Sequence, residues 1–237
     1  MKHLQRDLDR LKREILLMGS MVEEATNKAL SAFLYRRPEL AEAVMEGDDR
    51  IDQKELDVEE ECLKLLALHQ PVAADLRFII AVMKVNNDLE RMGDEAYNIA
   101  ERASYLSAHD PIGVPGDFPA MVDRVRMMVR DSLDALVNRD TNLARKVCRD
   151  DDLVDSTHRE MYMALQERMR ENPQTVERAV RTLSVSRHLE RIADLATNIA
   201  EDVVFMVDGD VIRHRTPGLS GTQHAGLPDA ADADKAR

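Results

Sequence analysis

The chain has 237 residues, of which 45 are acidic and 33 are basic, and its formal net charge is −12. Nucleic acid and anionic lipid are therefore unfavourable partners, because both are bound through basic surfaces. Aromatic residues make up only 3% of the chain and Trp is absent, which favours an all-α fold over a β-sandwich or barrel. The sequence has neither the apolar core of a signal peptide nor a run of roughly 20 apolar residues. We expect a cytoplasmic protein without direct membrane insertion.

Apolar residues at spacings of three and four predict six long helices. Prolines at the predicted helix starts support three of the boundaries. The predicted helices span about residues 1–37, 38–70, 71–108, 118–139, 140–172 and 173–209. Residues 109–117 are rich in Pro and Gly and predict a linker, whereas residues 212–237 lose the helical pattern and predict a disordered tail. Cys62 and Cys148 fall inside helical patterns, so we expect core residues rather than a disulfide.

An internal repeat divides the chain into two halves. The segments Leu89–Glu101 and Leu189–Glu201 are identical at nine of 13 positions. A second match relates Asp48–Asp52 to Asp151–Asp155 at an offset of 103 residues. Short connections make neighbouring helices antiparallel. The sequence therefore predicts two tandem three-helix bundles, residues 1–108 and 118–211, joined by the linker 109–117.

Pairs of acidic residues recur at helical spacing in both halves. Residues four apart lie on one face of a helix, where like charges repel. In each half, the turn between the second and third helices lies midway between the two pairs, at Pro71 and at 172–173. Antiparallel packing should then place the pairs at the same level. The first set is Asp48, Asp52, Glu90 and Asp94, and the second is Asp151, Asp155, Glu190 and Asp194.

Four carboxylates at one level would repel each other or take up protons unless a cation binds between them. Oxygen ligands suit hard ions such as Mg²⁺, Mn²⁺, Ca²⁺ or iron. The acidic stripe flanks the predicted core, so we expect both sites near the surface. The stripe continues through further polar residues that could contribute: Asn98, Glu101, Asn198 and Glu201.

Catalytic motifs are missing from the sequence, and we expect a protein that is not an enzyme. A di-iron oxidase in a helical bundle uses Glu-x-x-His ligands, but no His here has a Glu three residues earlier. The nearest pattern is Asp155-x-x-His158, in one half only, so His158 and His188 are expected to be surface residues rather than ligands. His69 and Gln70 are expected to be turn residues, and Arg77 could contact an anion.

The run HQPVAADLRFII at residues 69–80, followed by LERMGDEAYNIAE and LERIADLATNIAE, resembles the PhoU family. The resemblance implies two tandem three-helix bundles, a homodimer, and iron, zinc, manganese or magnesium bound at the acidic motifs. It also implies a negative regulator of phosphate uptake and of the phosphate-starvation response. The implied partners are a sensor histidine kinase and the ATPase of the phosphate ABC transporter, at the inner face of the membrane.

Three hypotheses about function remain open from the residues. The first is a regulatory adaptor whose cation-bound helical hairpins dock partner proteins. The second is a metalloenzyme that uses carboxylate-bound ions. The third is a metal-free scaffold, in which cations would leave the melting temperature unchanged because nothing binds the folded state.

Overall fold

A computed structural model describes residues 2–113 and 117–209. Within these ranges the chain is helical and contains no strand. The helices are α1 (Lys2–Tyr35), α2 (Pro38–Met45), α3 (Asp48–His69), α4 (Ala73–Ser107), α5 (Phe118–Asn138), α6 (Thr141–Glu171) and α7 (Val176–Asp208), with a 3₁₀ turn at Pro173–Thr175 before α7. The all-α fold class is therefore confirmed. The predicted tail 212–237 and residues 114–116 of the predicted linker lie outside the described residues.

The second predicted helix differs from the prediction, because it is divided into α2 and α3 at Glu46 and Gly47. The amide of Gly47 donates to the carbonyl of Val44, 3.1 Å away, and this i to i−3 bond tightens the turn. Gly also weakens a helix by its backbone freedom. The break is a local turn, and Val44 and Ile51 on either side of it are both buried.

The turns at Pro71 and Pro173 each include residues that belong to neither of the two α-helices that they connect. Gln70 follows the last residue of α3 in the left-handed conformation, and α4 begins only at Ala73. The side chain of Asn172 accepts a hydrogen bond from the amide of Gln174. The predicted positions of both turns are confirmed, although each helix begins two or three residues later than its proline.

One hydrophobic core continues through both halves. The apolar stripes beside the acidic residues are buried on α4 (Leu89, Met92, Ala96, Ile99, Ala103) and on α7 (Leu189, Ile192, Ala196, Ile199, Val203). Phe33 of α1 and Phe118 of α5 meet edge to face between the halves, with ring centroids 5.2 Å apart. The two cysteines are free thiols: Cys62 is buried and Cys148 is partly buried.

Helices α4 and α7 form the most extensive helix–helix contact and join the two halves. They cross in antiparallel orientation around Gly93 and Ala193. The Nζ of Lys84 lies 3.2 Å from Asp202 Oδ1 on one side of this crossing, and the Nε of Arg102 lies 3.3 Å from Ser184 Oγ on the other. Lys84 and Arg102 each lie nine positions from Gly93 on α4. Ser184 and Asp202 each lie nine positions from Ala193 on α7. The repeat therefore produces a pseudo-twofold relation at this contact.

The close packing of α4 against α3 at Gly93 bears on the site. Gly93 packs so closely on α3 that a Cβ atom there would lie 3.2 Å from Ile51 Cγ2. The close approach keeps α3 near α4 at the level of the acidic pairs.

Across residues 2–113 and 117–209, none of the helices combines the length and apolar character needed to cross a bilayer.

Candidate metal centre

The first carboxylate set lies where α3 and α4 pack side by side. Asp48 and Asp52 stand one turn apart on α3, and Glu90 and Asp94 stand one turn apart on α4. Asp48 and Glu90 are half-buried, whereas Asp52 and Asp94 are exposed. The set is thus reachable from solvent, as the position beside the core stripe predicts.

Burial, and then the charges of neighbouring carboxylates, raise the pKa values of three residues of the first set. Burial, together with the charges of Asp52, Asp94 and Asp49, raises the pKa of Asp48 from 3.8 to about 6. Burial and then the charges of Asp94, Asp52 and Glu55 raise the pKa of Glu90. The pKa of Asp94 is raised by burial and by Asp52 and Glu95. Charges on one helix therefore act on the other, as the predicted register requires.

The second set lies between α6 and α7, and there too burial and then neighbouring charges raise the carboxylate pKa values. Burial and the charges of Asp194, Asp155, Asp152 and Glu190 raise the pKa of Asp151 from 3.8 to about 7. Burial and the charges of Glu190 and Asp155 raise the pKa of Asp194 to about 6. The pKa of Glu190 is also raised, first by burial and then by Asp155.

The carboxylate of Asp151 has one oxygen whose burial no hydrogen bond from the described residues compensates. Its Oδ1 atom is buried, and among the described residues it has no hydrogen-bond partner. A buried carboxylate oxygen is costly unless a donor or a cation compensates it. A hard cation bound by the second set would supply that compensation.

A polar pair flanks each set at equivalent positions of the repeat. Asn86 Nδ2 donates to the carbonyl of Glu55, 2.9 Å away, and lies 3.3 Å from Glu55 Oε1. In the second half, His158 Nδ1 lies 2.8 Å from Ser186 Oγ. His158 is half-buried, so its predicted surface position holds only in part. Sequence reasoning missed Glu55, although its place one turn after Asp52 was a usable signal.

The continuation of the polar stripe takes a different role in the first half. Asn98 Nδ2 donates to the carbonyl of Asp94, 2.9 Å away, and its Oδ1 accepts from Arg102 Nη1 at 2.9 Å. Glu101 also accepts from Arg102 Nη1, at 2.6 Å. Asn98 and Glu101 therefore hold a guanidinium. Their counterparts Asn198 and Glu201 line a groove of about 630 Å³ between α4 and α7.

The prediction that His188 is a surface residue was wrong. His188 is only 7% exposed, because it lies in the contact between α7 and α4. Its Nδ1 lies 2.5 Å from Glu95 Oε2, and its Nε2 lies 3.2 Å from Ser184 Oγ. Sequence reasoning also missed Glu95, since the α4–α7 pairing is not visible in helix periodicity.

The remaining residues singled out in the sequence lie away from the sets. His69 ends α3 and its Nε2 lies 3.0 Å from Asp7 Oδ2, which agrees with a turn residue. Arg77 is directed toward α7, where its Nε lies 3.5 Å from the carbonyl of Met206. The predicted anion contact of Arg77 stays a prediction.

The donor chemistry of both sets fits hard cations, since each offers four carboxylates in a partly buried position. Within the described ranges, no three His, Cys, Asp or Glu side chains are already gathered tightly enough to hold an ion. Coordination would therefore require side chains of a set to rotate toward a shared ion. Asp52 and Asp94 are exposed, so rotation of their side chains is sterically accessible.

Comparisons with known proteins agree with the repeat. The family model described as the PhoU domain matches twice, at residues 15–103 and 118–203. A relative from Aquifex aeolicus, named phosphate-specific transport system accessory protein PhoU homolog, is 41% identical over 212 residues, covering 90% of this chain and 96% of the relative. A relative of the same name from Pseudomonas aeruginosa is 38% identical over 210 residues, covering 88% and 86%.

Two solved structures share the fold over nearly their whole length. The crystal structure of PhoU from Pseudomonas aeruginosa matches with a TM-score of 0.83 and 37% identity, covering 87% of this chain and 99% of that one. The crystal structure of the phosphate transport system regulatory protein PhoU from Streptococcus pneumoniae matches with a TM-score of 0.81 and 28% identity, covering 88% and 99%. The Streptococcus pneumoniae protein is named a regulatory protein, and the Aquifex aeolicus and Pseudomonas aeruginosa relatives are named accessory proteins, in agreement with the prediction that the chain is not an enzyme.

Proposed function

This chain belongs to the PhoU family, and we propose that it is a non-catalytic regulatory adaptor of phosphate transport. In this role it represses phosphate uptake and the phosphate-starvation response. The proposal is supported by relatives named as accessory proteins of the phosphate-specific transport system.

Cation binding by the two carboxylate sets is the chemical part of the proposal. The single observation that carries it is duplicated geometry: in each half, two acidic pairs on neighbouring helices of a hairpin lie together, where burial and then the charges of neighbouring carboxylates, including those of the opposite helix, raise the pKa of Asp48 and of Asp151. The residues of the first set would hold one cation centre and those of the second set another. Candidate ions are Mg²⁺, Mn²⁺, iron and Zn²⁺, and a bound ion would supply positive charge that keeps all four carboxylates ionised.

Partner binding is the regulatory part. We propose that the adaptor contacts a sensor histidine kinase and the ATPase of the phosphate ABC transporter, at the cytoplasmic face of the inner membrane, and that it forms a homodimer. Exposed apolar side chains on the acidic helix α3 support a protein-binding surface: Leu56 is 55% exposed and Leu63 is 52% exposed. Exposed large apolar residues in one region often mark interaction sites.

The test combines both parts. The protein with Glu90→Ala and Glu190→Ala should lose metal and should pull down less of the kinase and the ATPase than the unchanged protein. A matched control carries Glu39→Ala and Glu160→Ala, which alter exposed glutamates outside the sets. If the Glu90/Glu190 variant loses metal but retains full binding and repression, the cations have no role in docking.

The same preparations separate the two other hypotheses. A metalloenzyme predicts turnover of oxygen or phosphate esters by the metal-loaded protein, whereas an adaptor predicts none above the variant's background. A metal-free scaffold predicts an identical melting temperature with and without added Mn²⁺, because only binding to the folded state adds stability.

A further inference from the structure

Two equivalent arginines sit next to the carboxylate sets, but they are held in different ways. Arg91 follows Glu90, and its Nη1 lies 3.6 Å from Oδ1 of Asp88 on the same helix. Arg191 follows Glu190, and its Nη1 lies 3.3 Å from Oε1 of Glu95, across the contact with α4. The first arginine is thus held within its own half, and the second by the other half.

The repeat has diverged at the two positions that explain this difference. At an offset of 100 residues, Asp88 corresponds to His188, and Glu95 corresponds to Leu195. The imidazole of His188 cannot accept two charged hydrogen bonds as a carboxylate does. Glu95 accepts from Arg191 with one oxygen and faces His188 Nδ1 with the other, 2.5 Å away. The second half therefore has no carboxylate at position 188, and Glu95 of the first half supplies the carboxylate that holds Arg191.

Arg191 is also within electrostatic reach of the second set. It directly follows Glu190 and stands three residues before Asp194 on α7, and residues three apart are neighbours on a helix surface. Arg191, Glu95 and Asp194 line the same groove, of about 520 Å³. The side chain of Arg191 is 46% exposed, whereas that of Glu95 is 15% exposed. Without Glu95, the partly exposed guanidinium of Arg191 would have room to turn toward the second set.

We propose that Glu95 is a positioning residue for the second carboxylate set: it holds Arg191 away from Glu190 and Asp194, so that these carboxylates can take a cation instead. The inference rests on the proposed cation binding. Glu95 itself is already engaged by His188 and Arg191, so it positions the set without serving as a ligand.

The experiment is a double-mutant cycle read out by Mn²⁺ binding to the folded, metal-free protein. All proteins carry Asp48→Asn and Asp52→Asn, which silence the first set, so that calorimetry reports the second set alone. Glu95→Gln should weaken Mn²⁺ binding roughly tenfold, within the range seen for coupled neighbours. Arg191→Gln alone should change binding by less than about threefold. The double variant should return to within about threefold of the parent, because no competing guanidinium remains.

A rescue variant tests whether the affinity lost in Glu95→Gln reflects the loss of the Arg191 partner and not the loss of folding. In that background, His188→Asp places a carboxylate three residues before Arg191, as Asp88 stands before Arg91. This change should recover most of the lost affinity. Lys84→Gln is the matched control, because Lys84 also pairs across the α4–α7 contact, with Asp202, but its ion pair includes neither Glu95 nor Arg191. It should leave Mn²⁺ affinity unchanged.

The outcomes distinguish this inference from the proposed function. Absence of Mn²⁺ binding in the parent protein would overturn the proposed cation site itself. Binding in the parent with additive effects of Glu95→Gln and Arg191→Gln would overturn the positioning role alone, since additivity means that only through-space charge is acting. Failure of His188→Asp to restore binding in a folded Glu95→Gln protein would also overturn it.

Discussion

Asp151 of α6 and Asp194 of α7 lie together in the second set. Burial, then the charge of Asp194 and then those of Asp155, Asp152 and Glu190 raise the pKa of Asp151 to about 7. Asp151 and Asp194 are 43 positions apart in sequence and meet only because the α6–α7 turn reverses the chain. An acid that titrates near neutrality makes the protein's stability and its cation binding depend on pH in the physiological range.

The first prediction concerns pH and stability without metal. The pKa of Asp151 is about 7 in the folded state and near 3.8 when unfolded, so the folded state binds this proton more tightly. The stabilising contribution is complete below pH 4 and is lost as the pH rises through 7. Asp151→Asn replaces the carboxyl group with a neutral amide, so the folded state no longer loses stability when residue 151 ionises. The variant should gain free energy of unfolding relative to the unchanged protein between pH 5 and 8, by on the order of 1–2 kcal/mol after solvent screening.

Urea denaturation at several pH values measures this difference. Glu160→Gln, an exposed change on the same helix, is the control and should follow the unchanged protein at every pH. A constant offset between Asp151→Asn and the unchanged protein from pH 5 to 8 would show that Asp151 ionises normally.

The second prediction concerns stabilisation by cations. An ion that binds only the folded state adds about 2.7 kcal/mol at a concentration one hundred times its Kd. Mn²⁺ should therefore raise the melting temperature of the metal-free protein. Asp151→Asn with Asp194→Asn should lose part of this rise, and the further changes Asp48→Asn and Asp94→Asn should abolish it. A full rise in the four-site variant, measured by calorimetry, would place the ions elsewhere.

The third prediction concerns the start of α6. The side chain of Asp140 caps this helix by accepting from the amides of Asn142 and Leu143, at 2.9 and 3.0 Å. Asp140→Ala should lower the free energy of unfolding by about 1 kcal/mol, because two amides lose their acceptor. Asp140→Asn keeps an acceptor oxygen and should cost only a few tenths of that value in a denaturant titration. Equal losses in both variants would mean that the charge, and not the cap, matters.

The fourth prediction concerns the contact between the halves. Phe118 is fully buried and packs edge to face against Phe33. Phe118→Ala should cost about 3–5 kcal/mol, since it removes apolar burial and leaves a cavity. Phe118→Leu fills most of the space and should cost clearly less. Separate unfolding transitions for the two halves in the Ala variant would show that this ring couples them.

The fold and both carboxylate sets could be predicted from the sequence because they depend on features within a helical hairpin. Helix periodicity identifies the buried face, and a turn at a proline fixes which residues are level. The register of Asp48 and Asp52 against Glu90 and Asp94 follows from these two facts alone. The break at Gly47 was missed, because the apolar period through Val44 and Ile51 continues across it.

The contact between the two halves could not be predicted in the same way. Glu95 and His188 stand 93 positions apart, on helices that no short turn connects. The sequence predicted a surface position for His188, but α4 packs over this residue and buries the ring. The divergence of Asp88 and Glu95 from His188 and Leu195 was visible in the repeat, although its meaning needed the paired helices.

Elemental analysis of the protein purified without chelator tests the central claim most directly. The unchanged protein should retain a hard cation or zinc in stoichiometric amount. Asp48→Asn with Asp94→Asn should remove the metal of the first set, Asp151→Asn with Asp194→Asn that of the second, and the four-site variant should retain none. Equal metal content in the unchanged protein and the four-site variant, with both folded, would contradict the account.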